Sequence, residues 1–370
     1  MSSTRREFLV SSAAFVASGS VLGAHGSDRR VSGSSASDWY MPAEEGPHDS
    51  TWLCWPSARE IWGSMLPDAQ ANIASIARAI NEYEPVTVLA RPSARRAARR
   101  LLGSQIALEP APVDDLWARD TLPAFLIDAK QKRKLAAGVL RFNGWGGKQL
   151  HTGDDRLAAI VAGMLVVPTI EAHLTGEGGG FDGDGAGTVL AARSSWVNKN
   201  RNPSLSEKQI GERLASLLGA ERVLWVDGLA GHDITDGHID TLARFIDPKT
   251  VLLENTAPDD ASIWSGVARQ TRRQVKSFRT LNGAPYELVT LQQPAKLPSN
   301  SDTFLASYVN YYTCNGAVIA PKFGDRQADD RARELLAHVY PNREIVQLRI
   351  DTVAEGGGGI HCATQQQPAV

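Results

Sequence analysis

Five short segments concentrate residues able to do acid–base or nucleophilic chemistry. They are Trp117-Ala118-Arg119-Asp120, the acidic glycine-rich run from Gly176-Glu177-Gly178 to Asp184-Gly185, and Asn198 through Arg201-Asn202-Pro203. Asp236-Gly237-His238-Ile239-Asp240 follows, and then Glu355-Gly356-Gly357-Gly358-Gly359-Ile360-His361-Cys362. If His238-Ile239-Asp240 is extended, strand alternation turns an imidazole and a carboxylate to one face and sends Ile239 into the core. A solvated pair or a satisfied core histidine would leave the same signature. In the last segment four glycines forgo side-chain packing for backbone freedom and close approach of another group. The thiol that follows is expected to be exposed, under low steric cover. Cys54, in Trp52-Leu53-Cys54-Trp55, and Cys314, in Tyr311-Tyr312-Thr313-Cys314, read as small core hydrophobes. Three cysteines cannot all pair, so at least one thiol is free of any internal disulfide.

Spacing removes several other chemistries. An EF-hand loop starting at Asp182 needs Glu at its twelfth position, where Arg193 stands. No Gly-Lys-[Ser/Thr] follows to make a phosphate loop. Zinc would want more His and Cys at ligand spacing, and a G-x-S-x-G elbow is missing. No metal and no cofactor is expected. What remains is a set of carboxylates, one histidine and one cysteine, with no fixed cation evident among them. If they converge, crowding raises the carboxyl pKa values unless a cationic ligand arrives. A planar guanidinium, with five donors, is a cation that two or three carboxylates can match bidentately. The set therefore suggests attack of a thiolate on a guanidinium carbon.

Elements able to position these residues are legible as short apolar runs: Val86–Leu89, Phe125–Ile127, Met164–Val167, Thr188–Leu190, Val223–Val226, Val251–Leu253, Ala317–Ile319 and Glu344–Val346. Each is of strand length and bounded by turn formers. Helical patterns lie between them. Gln70 to Tyr83 places Ile73, Ile76, Ala77 and Ile80 on one face. Ser206 to Leu218 opens on a Ser206/Gln209 box, and Asp329 to Val339 is similar. The alternation means an α/β or α+β chain. Arg91, Arg95 and Arg99, four apart, read as a solvated helix face.

The chain has 370 residues, 39 Lys+Arg against 41 Asp+Glu, and 42% hydrophobic residues, values of an ordinary globular protein. Without a cationic excess nucleic acid is a poor partner, and no apolar run reaches the ~18 residues of a membrane span. Thr4-Arg5-Arg6-Glu7-Phe8-Leu9, followed by a weakly apolar run to about Ala24, reads as a twin-arginine export signal. The expected organisation is a signal over 1–26, a flexible lead-in over 27–38 and one domain over 39–370. The location follows as periplasmic or extracellular.

These motifs resemble those of the agmatine deiminase family, which includes bacterial-type peptidylarginine deiminases, within the guanidine-modifying pentein superfamily. The likeness runs from Tyr40-Met41-Pro42-Ala43-Glu44 to Gly356 through Pro368. Its most specific parts are W-A-R-D at 117–120, N-G-W-G-G-K at 143–148, R-N-P at 201–203, T-D-G-H-I-D at 235–240 and G-G-G-G-I-H-C-A-T-Q-Q at 356–366. The resemblance implies a fivefold pseudosymmetric α/β propeller with a central site. It implies Cys362 as nucleophile and His238 as general acid and base. Asp120 and Asp240 would bind the guanidinium, Glu177 would stand beside the imidazole, and Trp117 and Gly358 would line the substrate. The implied substrate is agmatine, ahead of arginine or peptidyl-arginine; a guanidine-binding protein without activity is the remote alternative. Two departures from the family pattern bear on substrate choice and are expected to reshape the rim. R-D-x-G-P reads Arg119-Asp120-Thr121-Leu122-Pro123, and G-G-S-I-H-V-D-G reads Gly178-Gly179-Gly180-Phe181-Asp182-Gly183-Asp184-Gly185.

Overall fold

A computed structural model describes residues 38–256 and 260–370. The expected export signal, 1–26, and nearly all of the lead-in lie outside the described residues.

Among the described residues seventeen strands form five small sheets that repeat one connectivity. In each, a central strand runs antiparallel to one neighbour and parallel to the other. Ala124–Asp128, Leu135–Arg141 and Thr169–Thr175 make one such set, and Phe181–Gly183, Thr188–Ala192 and Arg222–Val226 a second. Ala243–Asp247, Thr250–Asn255 and Glu287–Gln292 make a third, and Tyr312–Cys314, Ala317–Lys322 and Glu344–Arg349 a fourth. In the fifth, the last strand, Thr364–Pro368, pairs antiparallel with His48–Cys54, which runs parallel to Val86–Ala90. The two ends of the folded chain are thereby stitched into one sheet.

Each central strand needs a crossover to reach its parallel neighbour, and a helix supplies it each time, as Arg95–Leu102 also does between Val86–Ala90 and its further parallel partner Ala107–Pro110. The five are Leu66–Asn81, Leu157–Leu165, Glu207–Leu218, Ile263–Ser277 and Arg326–Val339. Each buries an apolar stripe, and several, Glu207–Leu218 among them, pack against the neighbouring sheet as well as their own. Ile73, Ile76, Ala77 and Ile80 are fully buried on the first, as their spacing requires. On the third, Ile210, Leu214, Leu217 and Leu218 pack against Leu126, Leu174, Val189 and Trp196, each large side chain contributing about 1.5–3 kcal/mol of burial. The Ser206/Gln209 capping box forms as read.

Local readings shift in three places. The first helix begins at Leu66, four residues early, because a proline sits in its first turn, where no amide donor is needed. Met164–Val167 is not a strand: the buried face Leu157, Ala158, Val161 and Ala162 keeps the segment helical to Leu165, and the strand starts at Thr169. The arginine face over 95–102 is helical, but Arg95 donates to the Leu108 carbonyl at 3.0 Å and Arg99 to that of Ile106 at 2.7 Å. These side chains tie the helix to its neighbouring strand. Among the described residues no helix is long and apolar enough to cross a membrane.

Candidate active site

The turn entering the antiparallel strand of each sheet carries a polar residue inward. Ala118–Thr121 delivers Asp120 ahead of Ala124–Asp128, and the turn Gly178–Gly180 follows Glu177 ahead of Phe181–Gly183. Ile239–Thr241 delivers Asp240 ahead of Ala243–Asp247, and 360–363 delivers Cys362 ahead of Thr364–Pro368. Four sheets thus supply the predicted catalytic residues.

His238-Ile239-Asp240 is not extended. His238 caps a 3-10 turn, Ile239 enters the core and both polar side chains still reach the site. Convergence is visible at Gly179, where a Cβ would lie 2.6 Å from His238 Nδ1, 3.0 Å from Asp120 Oδ1 and 3.1 Å from Asp240 Oδ2. Only a residue without a side chain leaves these groups room to face one another. The glycine run before the cysteine has the same logic. Gly356 lies flush against Trp62, Gly358 against Trp117 and Gly359 against Asn310, with Cβ positions that would fall 2.1–2.4 Å from those side chains. Trp117 is fixed in turn by Asp115, which accepts from its Nε1 at 2.9 Å and from Trp62 Nε1 at 2.7 Å.

Cys362 is 7% exposed. Sequence placed an exposed thiol here; the structure buries it, because the bare glycine backbone lets Trp62 and Trp117 close over the loop. Cys362 Sγ lies 3.4 Å from Asp240 Oδ2 and accepts from Asn310 Nδ2 at 3.2 Å. Burial, then the negative charges of Asp240 and Asp120, push the thiol well above its ordinary pKa.

The carboxylates divide by environment. Asp120 accepts from Trp145 Nε1 at 2.9 Å and from the Gly179 amide at 3.0 Å. Burial raises its pKa, with Glu177 and Asp240 adding to the rise and His238 opposing it. Asp240 goes the other way: burial opposes ionisation, but the hydrogen bond and charge of His361 hold it below the usual range. His238 Nε2 stands 3.3 Å from Glu177 Oε2, and its Nδ1 faces Asp120 Oδ1 at 3.7 Å. Burial disfavours the imidazolium, yet Asp120, Glu177 and Asp240 outweigh it and raise the ring to about 9. His238 Nδ1 and Asp240 Oδ1 are buried polar atoms with no hydrogen-bond partner among the described residues.

Fixed cations, unread in the sequence, stand directly behind the acids. Arg201, from the R-N-P motif, reaches Glu177 Oε1 at 2.9 Å and Asp236 Oδ2 at 2.6 Å. Lys148 bonds Asp236 at 2.8 Å, and these contacts with Asn200 and the Gly231 amide overcome burial to hold Asp236 down to about 2. His361 bridges Asp240 Oδ2, at 2.8 Å from Nδ1, and Glu44 Oε2, at 2.9 Å from Nε2. Glu44 also holds Arg119 at 3.1 Å and Arg244 at 2.9 Å. Arg201 and Glu44 lay in segments already quoted for the family likeness, though no role was read for them, whereas Asn310 carried no signal. The two departures do not line this pocket's catalytic groups. Leu122 and Phe181 line a hollow together with Arg119, Glu44, His361 and Gln366.

Residues 40–368 match the family described as Porphyromonas-type peptidyl-arginine deiminase. The chain belongs to this family. Among its relatives, an agmatine deiminase of Medicago truncatula is 33% identical over 365 residues, covering 90% of this chain and 97% of that protein. One of Stutzerimonas stutzeri is 34% identical over 355 residues, covering 90% and 96%. The solved agmatine deiminase of Enterococcus faecalis superposes with a TM-score of 0.85 at 28% identity, over 92% of this chain and 99% of that one. The mixed α/β fold is thus that of agmatine deiminase structures.

Proposed function

We propose that this member of the family hydrolyses the guanidino group of a small cationic substrate, agmatine first, to a ureido compound and ammonia. One observation carries the reading: a thiol, a raised imidazole and the acids Asp120 and Asp240 meet in a buried space where His238 Nδ1 and Asp240 Oδ1 have no hydrogen-bond partner among the described residues. A guanidinium supplies both the donors and the positive charge such a space calls for. Five sheets of one connectivity, four of them delivering these residues from equivalent turns, support a fivefold propeller around the site.

Roles follow from the environments. Asp120 and Asp240 bind and align the guanidinium, over a wall made by Trp117 and Gly358. The arriving cation offsets the charge that keeps Cys362 protonated, the thiol proton passes to solvent, and the thiolate attacks the guanidinium carbon. His238, at about 9, is protonated at neutral pH and gives its proton to the leaving nitrogen as the C–N bond breaks. Ammonia departs and leaves an S-alkylthiouronium on Cys362. His238, now neutral, takes a proton from water; the hydroxide adds to the same carbon, and the C–S bond breaks to release the ureido product. Glu177, anchored by Arg201, holds the imidazole.

Agmatine leads because the cations in the recognised motifs are all engaged within the protein. Arg119 faces Glu44, Lys148 faces Asp236, and Arg201 faces Glu177 and Asp236, which leaves none of the three for an α-carboxylate. The test is incubation of purified protein with agmatine, free arginine and an arginine peptide, measuring ammonia and ureido product. Turnover of the peptide without agmatine moves the assignment to peptidyl-arginine; no product from any guanidine sinks the enzymatic reading. We also propose export, on the Arg5-Arg6 pair and the apolar run after it. Continued export after Arg5-Arg6→Lys-Lys substitution refutes the twin-arginine route.

A further inference from the structure

We infer that the outer face of Ile263–Ser277, the crossover helix of the third sheet, is a docking surface for anionic phospholipid. Arg269, Arg272, Arg273 and Lys276 are exposed on it, and their spacing of three, one and three residues puts them on one stripe. The opposite stripe, Val267, Ala268, Thr271 and Val275, is buried. Arg279, exposed just beyond the last turn, lengthens the row to five cations. From Ala261 to Tyr286 the chain holds no Asp or Glu to balance them. The other crossover helices are built differently. Leu66–Asn81 carries Asp68 with Arg78, and Leu157–Leu165 carries no charge. Glu207–Leu218 and Arg326–Val339 mix both signs and pair them, Lys208 with Glu212 and Arg326 with Asp330, each at 3.8 Å. In a chain of net charge −2, one helix thus presents cations alone.

The protein does not neutralise this row itself. Arg269 donates to Ser265 Oγ and Arg279 to the carbonyls of Lys276, Ser277 and Phe278, and no carboxylate among the described residues pairs with any of the five. The carboxylate that touches the helix, Asp227, accepts from Gln270 and is already bound to Arg193 at 2.8 Å. Arg222 adds a further cation beside the row, donating to the Arg279 carbonyl at 2.6 Å. Unpaired cations on a convex helix fit an extended anionic surface, where each meets a phosphate without needing a groove. What flanks the row favours lipid over nucleic acid. Ile263 and Leu281, before and after it, are 49% and 42% exposed, and such aliphatic side chains enter the headgroup boundary of a bilayer. The one aromatic of the helix, Trp264, is partly buried against the core rather than presented for stacking on a base.

The test is co-sedimentation of the full chain with vesicles, one set of phosphatidylcholine alone and one with phosphatidylglycerol added. The unsubstituted protein should pellet with the anionic vesicles at low salt, be released at high salt and leave the neutral vesicles unbound. Arg272→Glu with Arg273→Glu should weaken binding at least about twentyfold, roughly fivefold for each charge lost, while Arg272→Lys with Arg273→Lys keeps most of it. Arg269→Glu with Lys276→Glu is a second pair on the same stripe, and circular dichroism checks that each variant is folded. Both pairs retain the N-terminal segment, so binding that survives them at full strength runs through another part of the chain and overturns the inference. Pelleting that does not depend on phosphatidylglycerol overturns it too. So does binding to a single-stranded oligonucleotide in place of vesicles, abolished by the same pairs, which reassigns the face to nucleic acid. None of these arms requires turnover of a guanidine.

Discussion

Two buried charged clusters stand on either side of His361, and they are built to opposite rules. On one side, Glu44 accepts from the Thr313 amide and hydroxyl, both at 2.9 Å, and also meets Arg119, Arg244 and His361. Burial opposes its charge, but these cations hold its pKa well below the ordinary range. On the other side, three acids, Asp120, Asp240 and Glu177, surround one base, His238, in space left open by Gly179. A cluster whose acid is matched by basic side chains anchors the fold, whereas one whose acids outnumber its base is left incomplete, and it is there that a cationic substrate is proposed to bind. His361 joins them, passing the order of the first to Asp240 in the second.

Substitutions on the two sides should therefore separate activity from stability. Cys362→Ala has the largest expected effect, a loss of turnover by at least about 10⁴-fold, with little change in thermal midpoint. Glu44→Gln should do the reverse at first hand. It leaves Arg244 and Arg119 buried with less compensating charge, a cost of about 3–5 kcal/mol in chemical denaturation. Asp120→Asn, which removes charge from the incomplete cluster, should cost less than that while lowering kcat/KM on the order of a hundredfold. Equal stability losses for Glu44→Gln and Asp120→Asn would erase the distinction between the clusters.

The pH response sharpens the same contrast. His238 stands at about 9 in the fold against 6.5 unperturbed. Its contribution to stability is complete below pH 6.5 and is lost as pH rises to about 9. Activity should fall through the same upper limit, as the proton for the leaving nitrogen disappears. A kcat/KM still climbing well above pH 9 contradicts His238 as the acid. Smallest of all is Lys148→Met: its partly exposed pair with Asp236 is worth about 1 kcal/mol or less. Agmatine should remain preferred over arginine in that variant.

The site was legible wherever chemistry is written as residue type. Cys362, His238, Asp240, Asp120 and Glu177 stand out because each is a reactive or ionisable residue embedded in glycine or in a tight motif, and the structure brings them together. By that standard neither Asn310 nor a role for Glu44 is visible. One sits in an apolar run and the other near the start of the folded chain, and each acts only through partners 52 or more positions away in sequence. Apolar periodicity found every crossover helix it was applied to, since a helix on a sheet must bury one stripe. It misread Met164–Val167, where four apolar residues fit a strand or a helix end equally well. The exposure of Cys362 was misjudged because bare glycine was read as open space, when it is filled by Trp62 and Trp117.

The central claim is that Cys362 carries the substrate carbon during turnover. Acid quenching of the protein during agmatine turnover, followed by peptide mass analysis, tests it directly. A thiouronium-mass adduct confined to the peptide containing Cys362, appearing with substrate and decaying as product accumulates, is the predicted result. Sustained turnover with no adduct, retained in Cys362→Ala, would contradict it.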